Sequence, residues 1–206
     1  NKKICDLNIS AFNGVDDKYT TIQRATLVEF LKNKLPANLI NFNKKIKKIN
    51  YNINSIELSF EDSSSIEYDF LIIADGIFSS TKSLIANKNI EPKYFNSLAI
   101  RATIDKKNLK DIEYKNISLF LGSNLHSVIY PVNQNSELNF IGILRKNLNK
   151  QQTMNYSLFK DKNFISSVLI DLSSQIDKNI FNNLKDIKCF PIFISSGIYH
   201  PKQKNI

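Results

Sequence analysis

Five apolar residues in a row, Phe70-Leu71-Ile72-Ile73-Ala74, run without alternation into Asp75-Gly76. A strand with one wet face alternates; an unbroken run asks for cover on both faces, as in a central parallel strand. Asp75-Gly76 stops the run, and Ser79 or Ser80 is placed to cap a short helix behind it. Strand, tight turn and helix in that order predict an α/β layer. The carboxyl end of such a strand is where an open sheet receives ligands.

The flanking segments extend this reading. Thr20 and Thr21 are positioned to cap a helix starting near Gln23, with Leu27, Val28, Leu31 and Leu35 on one face and Pro36 ending it. Lys45–Tyr51 and Ser55–Phe60 flank Asn52-Ile53-Asn54 as a β-hairpin, and Glu61 to Ser65 forms a second turn. From about Tyr94 the pattern changes to strand-like runs at 98–104, 117–121, 126–132 and 138–144, which predict a largely antiparallel sheet. Phe164, Ile165, Val168, Leu169, Leu172 and Ile176 then share a helical face, Ile180-Phe181-Leu184 forms a second amphipathic piece, and Cys189 to Ile194 is a last apolar segment. The expected fold class is α/β, becoming α+β in the second half, with a boundary near residue 90 between units 1–90 and 91–206.

Charge and cysteine content narrow the function classes. The net charge of +9 invites nucleic acid. The excess is mostly lysine spread along an Asn-, Lys- and Ile-rich chain, and the densest run, Lys44-Lys45-Ile46-Lys47-Lys48, reads as an exposed strand edge guarded against aggregation. No RNA-binding aromatic motif, zinc finger or GXXG loop accompanies it, so nucleic acid is not expected as a partner. No run approaches membrane-helix length, and stable membrane insertion is not expected. Two cysteines, Cys5 and Cys189, make no CxxC and no metal-ligand spacing; idle thiols in a reducing compartment predict a cytoplasmic protein with no metal site. In so lysine-biased a chain the three arginines, Arg24, Arg101 and Arg145, stand out as candidates for planar, bidentate pairing with phosphate or carboxylate.

Several motifs carry a resemblance. Arg24-Ala25-Thr26-Leu27 matches an Arg-x-x-Leu at a helix start, and Ala74-Asp75-Gly76-Ile77-Phe78-Ser79-Ser80-Thr81-Lys82 matches Ala-Asp-Gly-x-x-Ser-x-x-Arg with lysine in the last place. Leu98-Ala99-Ile100-Arg101, His126-x-x-x-Tyr130-Pro131-Val132 and Leu138-Asn139-Phe140 follow in order. Together they resemble the class A FAD-dependent aromatic monooxygenases of the para-hydroxybenzoate hydroxylase fold, in the branch of salicylate hydroxylase. The resemblance implies a partial Rossmann-like FAD-binding domain with a hairpin insertion, then a substrate domain of antiparallel sheet and helices. It implies that the family's glycine-rich loop would precede residue 1 and its second flavin motif would follow Ile206. An internal fragment of this kind is expected to bind FAD poorly by itself and to be inactive.

The activity implied is hydroxylation of a small aromatic, phenolic substrate with O2, using FAD and NADH or NADPH as reductant. Arg24, with Gln23 beside it, Asp75, Gly76 and Ser79 are the implied cofactor residues, and Lys82 is a weaker candidate. His126 and Tyr130, four apart and so on one face of a strand, are the implied catalytic and substrate-facing pair, and Arg101 is a candidate for a substrate carboxylate. His200 is assigned no role. Two alternatives stay open: a same-fold flavoprotein with another reaction, such as a halogenase or an isoprenoid reductase, although a halogenase is expected to carry a Trp-containing signature and this chain has no Trp; or a basic module that binds nucleic acid or a membrane surface without catalysis. Substrate identity, the choice of nicotinamide and the oligomeric state are not encoded in any motif.

Overall fold

The computed structural model describes residues 4–8, 21–105, 107, 109, 116–132 and 137–195. Thr20, His200 and the rest of the tail from residue 196 lie outside them. Two sheets organise the chain. The smaller has three strands, β1 (Ile46–Tyr51), β2 (Ile56–Phe60) and β3 (Ser65–Tyr68), in the order β1-β2-β3. The larger has five, β4 (Lys93–Asp105), β5 (Ser118–Leu121), β6 (Leu125–Val132), β7 (Glu137–Arg145) and β8 (Lys185–Ile194), in the order β5-β6-β7-β4-β8. All of these pairings are antiparallel.

The first sheet contains the expected hairpin and one strand more. Ile56, Leu58 and Phe60 alternate into a small core closed by Ile46, Ile49, Ile66 and Leu71. β3 is too short to declare itself in sequence, and it pairs Ile66 opposite Leu58. β1 is one of the two outer strands, so the lysine run does occupy a sheet edge. Lys44 pairs with Asp62 at 2.5 Å and Lys45 with Glu61 at 2.6 Å.

The expected central parallel strand is corrected. Residues 70–76 join no ladder among the described residues, and Phe70 and Ile72 are 75% and 90% exposed. An apolar run becomes a buried strand only if neighbours supply both ladder partners and cover. No described strand pairs with this segment. The same holds for the helix before it, α1 (Arg24–Lys32): its apolar face forms as expected, yet Leu27, Val28, Leu31 and Leu35 remain exposed and the helix buries none of its residues. Its N-cap is Gln23, which makes no side-chain cap bond. Pro36 opens a separate 3-10 turn at Ala37–Leu39.

The second half folds as the alternation dictates. Along β4, residues Leu98, Ile100, Ala102 and Ile104 point to one side and are buried; Leu138, Phe140 and Leu144 of β7 and Leu125 and Ile129 of β6 join them. Helices cover this side. α4 (Lys162–Ser173), capped by Asp161 accepting from the Phe164 amide at 2.8 Å, contributes Val168 and Leu172. α5 (Lys178–Asn182) contributes Ile180, and the 3-10 turn Leu158–Lys160 contributes Phe159. A short helix missing from the sequence reading, α3 (Lys150–Met154), is held by an Asn149–Gln152 capping box. At Gly142 a Cβ would lie 3.1 Å from the ring of Phe140, tighter than ordinary contact.

Both cysteines were expected to be idle, but they differ. Cys5 is exposed; Cys189 is buried, and burial pushes its thiol up to about 11. A thiol reagent should therefore titrate one group in the native protein and the second only after unfolding, as read by absorbance with and without denaturant. Leu172→Ala should cost about 2–5 kcal/mol in urea unfolding, whereas Ile170→Ala, on the same helix and 70% exposed, should stay within about 0.5 kcal/mol.

Candidate functional site

The Asp75-Gly76 turn sits between the apolar run 70–74 and the helix α2 (Ser80–Ala86). Gly76 has φ +81°, a left-handed conformation that L side chains rarely adopt, and nothing lies within 4 Å of where a Cβ would be. Glycine is thus required by the backbone, and its bare face opens on free space. Ser79 is the N-cap of α2 and accepts from the Lys82 amide at 3.1 Å. Partial burial by itself would raise the Asp75 carboxyl, but hydrogen bonds from the side chains of Ser79 and Thr81, with backbone N–H groups behind them, outweigh it and hold it below the ordinary carboxylate range. Ser79 and Thr81 are themselves buried. Thr81 was not singled out in the sequence; its signal was its place inside the motif, in the first turn of the helix.

Beside this turn lies a cleft of about 350 Å³, walled by Lys44, Lys45 and Ile46 on one side and by Leu71 to Asp75 and Phe78 to Thr81 on the other. Among the described residues, 71–75 join no strand ladder.

The other candidates lie on the second sheet, on the face that the helices leave open. His126, Val128 and Tyr130 alternate with the buried residues of β6, and Arg101 alternates with those of β4. The register puts Arg101 opposite Ile141, which stands opposite Val128; His126 stands opposite Ile143 and Tyr130 opposite Asn139. His126 and Tyr130 are therefore about 13 Å apart along the strand, and Arg101 stands two strands, about 9–10 Å, across from Val128 between them. The three frame an apolar platform of Val128, Ile141 and Ile143. The guanidinium of Arg101 lies 5.6 Å from the ring centre of Phe190 on β8, a cation–π contact.

Contacts among the described residues join this sheet to the first half. The Phe78 ring meets Phe193 of β8 edge-on at 5.2 Å, and Phe193 meets Tyr94 of β4 at 6.0 Å. Thr21, expected to cap α1, instead donates its hydroxyl to the Pro131 carbonyl at 2.6 Å. That bond sets the start of α1, with Gln23 and Arg24, against the strand end that carries Tyr130. Gln23 and Arg24 are exposed, and among the described residues Arg24 makes no ion pair, neither with Glu29 nor with Asp75.

Gly76→Ala should destabilise the fold by about 1–2 kcal/mol through backbone strain alone, measured by chemical unfolding. Because the folded carboxyl of Asp75 titrates below the unfolded one, its contribution is complete above the unfolded value near ~3.9 and drains away as pH falls through the folded value. Asp75→Asn should therefore narrow its stability gap to the parent protein as an acid titration proceeds below pH ~4.

Comparison with known proteins gives a consistent answer. No family model matches the chain. Salicylate hydroxylase of Pseudomonas putida is 23% identical over 135 residues, 59% of this chain and 31% of that protein. 6-Hydroxynicotinate 3-monooxygenase of Bordetella bronchiseptica is 31% identical over 84 residues, 41% of this chain and 22% of that protein. The matched stretches thus span about a third or less of these relatives' own length. Among solved structures, a salicylate hydroxylase in complex with substrate aligns with a TM-score of 0.65 at 17% identity, over 82% of this chain and 45% of that one. HpxO of Klebsiella pneumoniae, complexed with FAD and uric acid, aligns with a TM-score of 0.64 at 15% identity, over 82% and 42%. The motifs and these likenesses agree: the chain is similar in sequence to FAD-dependent monooxygenases, and its fold matches part of that of the solved structures.

Proposed function

We propose that this chain is part of an FAD-dependent monooxygenase that hydroxylates a small aromatic, phenolic substrate with O2 and NADH or NADPH, residues 1–90 belonging to its FAD-binding domain and 91–206 to its substrate domain. The observation that carries the proposal is the Asp75-Gly76 turn, with its left-handed glycine facing open space, joined by Phe78 to a sheet whose uncovered face bears His126, Tyr130 and Arg101.

The residues present suit a dinucleotide. The cleft beside Ile46 offers apolar walls and unladdered backbone for a flat heterocycle, Gly76 lets the main chain approach closely, and the fork of Arg24, which no carboxylate neutralises among the described residues, suits phosphate. Gln23 offers an amide beside it. Asp75 and Ser79 are bound to one another, so their part is to hold the turn in shape, with the remaining lone pairs of Asp75 available to a ribose hydroxyl. When bound, FAD takes electrons from the nicotinamide and activates O2, so that one oxygen atom enters the ring and the other leaves as water.

On the substrate side, Val128, Ile141 and Ile143 offer a flat apolar bed. His126 accepts the phenol proton at one rim, which makes the ring more electron-rich, Tyr130 bounds the far end of the bed, and Arg101 takes a carboxylate where the substrate has one. No observation favours the halogenase or reductase alternatives. The polyanion-binding alternative has less to use than the charge suggests, since Lys44 and Lys45 are paired with Asp62 and Glu61.

An absorbance spectrum of the whole protein that carries this chain tests the reading: oxidised-flavin bands are expected, weakened by Arg24→Ala. A folded, colourless protein would sink it. His126→Ala should slow hydroxylation about 10²-fold or more with the flavin spectrum intact, measured as substrate-dependent NAD(P)H oxidation.

A further inference from the structure

We infer that Thr21 is a positioning residue, whose hydrogen bond to the Pro131 carbonyl holds the start of α1, and Arg24 with it, at a fixed offset from the substrate-facing strand. The inference rests on the proposed function for its consequence in catalysis, and on geometry alone for the placement of α1.

Four observations carry it. Among the described residues α1 buries none of its own, so contacts within this chain do little to fix where it stands. Thr21 does not cap the helix it precedes; Gln23 takes that position, and the Thr21 hydroxyl spans 110 residues of sequence to reach Pro131 at 2.6 Å in a half-buried setting. Pro131 lies beyond the pairing of β5, which reaches only Ile129, and it has no N–H to offer a neighbour. Among the described residues the β5 ladder does not reach its carbonyl, which accepts from Thr21. Finally, the bond joins two groups with different tasks: Arg24 is three residues after Thr21, and Tyr130 is one residue before Pro131. A hydrogen bond at this joint sets the distance between cofactor and substrate, and displacements near 1 Å at such joints cost up to about 10²-fold in rate.

The consequence is specific. With the ring correctly placed, NAD(P)H, a proton, O2 and the substrate give hydroxylated product, water and NAD(P)+. With the ring displaced, the same two electrons reduce O2 to hydrogen peroxide, as NAD(P)H, a proton and O2 give NAD(P)+ and H2O2. A loosened joint changes the split between these outcomes, whereas simple loss of folded protein lowers both together.

The test compares the whole protein as wild type, Thr21→Val and Thr21→Ser by hydrogen exchange and by H2O2 formed per NAD(P)H oxidised. Thr21→Val, which keeps the shape and loses the donor, should exchange about fivefold faster over residues 21–32, the factor for one ordinary hydrogen bond, with β4 and β7 unchanged and the H2O2 share raised. Thr21→Ser should restore both. Unchanged exchange in Thr21→Val, or no rescue by serine, overturns the inference. Faster exchange with an unchanged H2O2 share also overturns it, leaving a structural tie only. If the wild type binds no flavin, the functional reading is what fails, and the exchange comparison still decides whether Thr21 holds α1.

Discussion

The thirteen-residue strand β4 pairs along both edges, with β7 and with β8, and drives Leu98, Ile100, Ala102 and Ile104 into the same layer as Val168 and Leu172. Period-two alternation on so long a strand forces a choice of face, since a slip of one residue would exchange the whole buried set for the solvent set. With the helices committed to one side, the other is left for Ala99, Arg101 and Thr103. β7 and β6 repeat that choice in register, which is why Arg101, Ile141 and Val128 stand in one row and His126 and Tyr130 flank it. The candidate substrate face is thus a by-product of how the core is built.

The first half follows a different logic. Its one compact core, Ile56, Leu58 and Phe60, belongs to a small sheet, while its most apolar segments, α1 and residues 70–74, stand uncovered. What holds the Asp75 turn in shape is local: a glycine in a left-handed conformation, a serine cap, and a carboxylate bound by two hydroxyls. What relates that turn to the substrate face is not local at all. The Phe78–Phe193 contact and the Thr21–Pro131 bond each join residues more than a hundred positions apart.

Read as a sequence, the chain disclosed its antiparallel sheet, the hairpin, the helix over residues 162–173 and the face shared by His126 and Tyr130, because each depends on periodicity within one element. It disclosed the Asp75-Gly76 turn because Gly, Asp and Ser carry strong local preferences. Three readings departed from the structure. Residues 70–74 were expected as a buried strand, yet apolarity states a demand for cover without showing that cover is at hand. Thr21 was expected as a cap; its hydroxyl has a better acceptor across the fold. β3 and α3 were passed over, since four or five residues carry too little pattern to be distinguished from a turn.

The residues of the platform, the glycine at the turn and the alternation that hides or exposes each side chain were determined by the sequence itself, since backbone sterics and burial act over a few neighbouring positions. The row that sets Arg101 across from Val128, the stacking of Arg101 on Phe190, and the offset between α1 and the end of β6 were decided only by tertiary structure. Strand register and contacts between distant segments are settled by which surfaces fit together when the chain closes on itself, and no local preference of the residues involved specifies that fit.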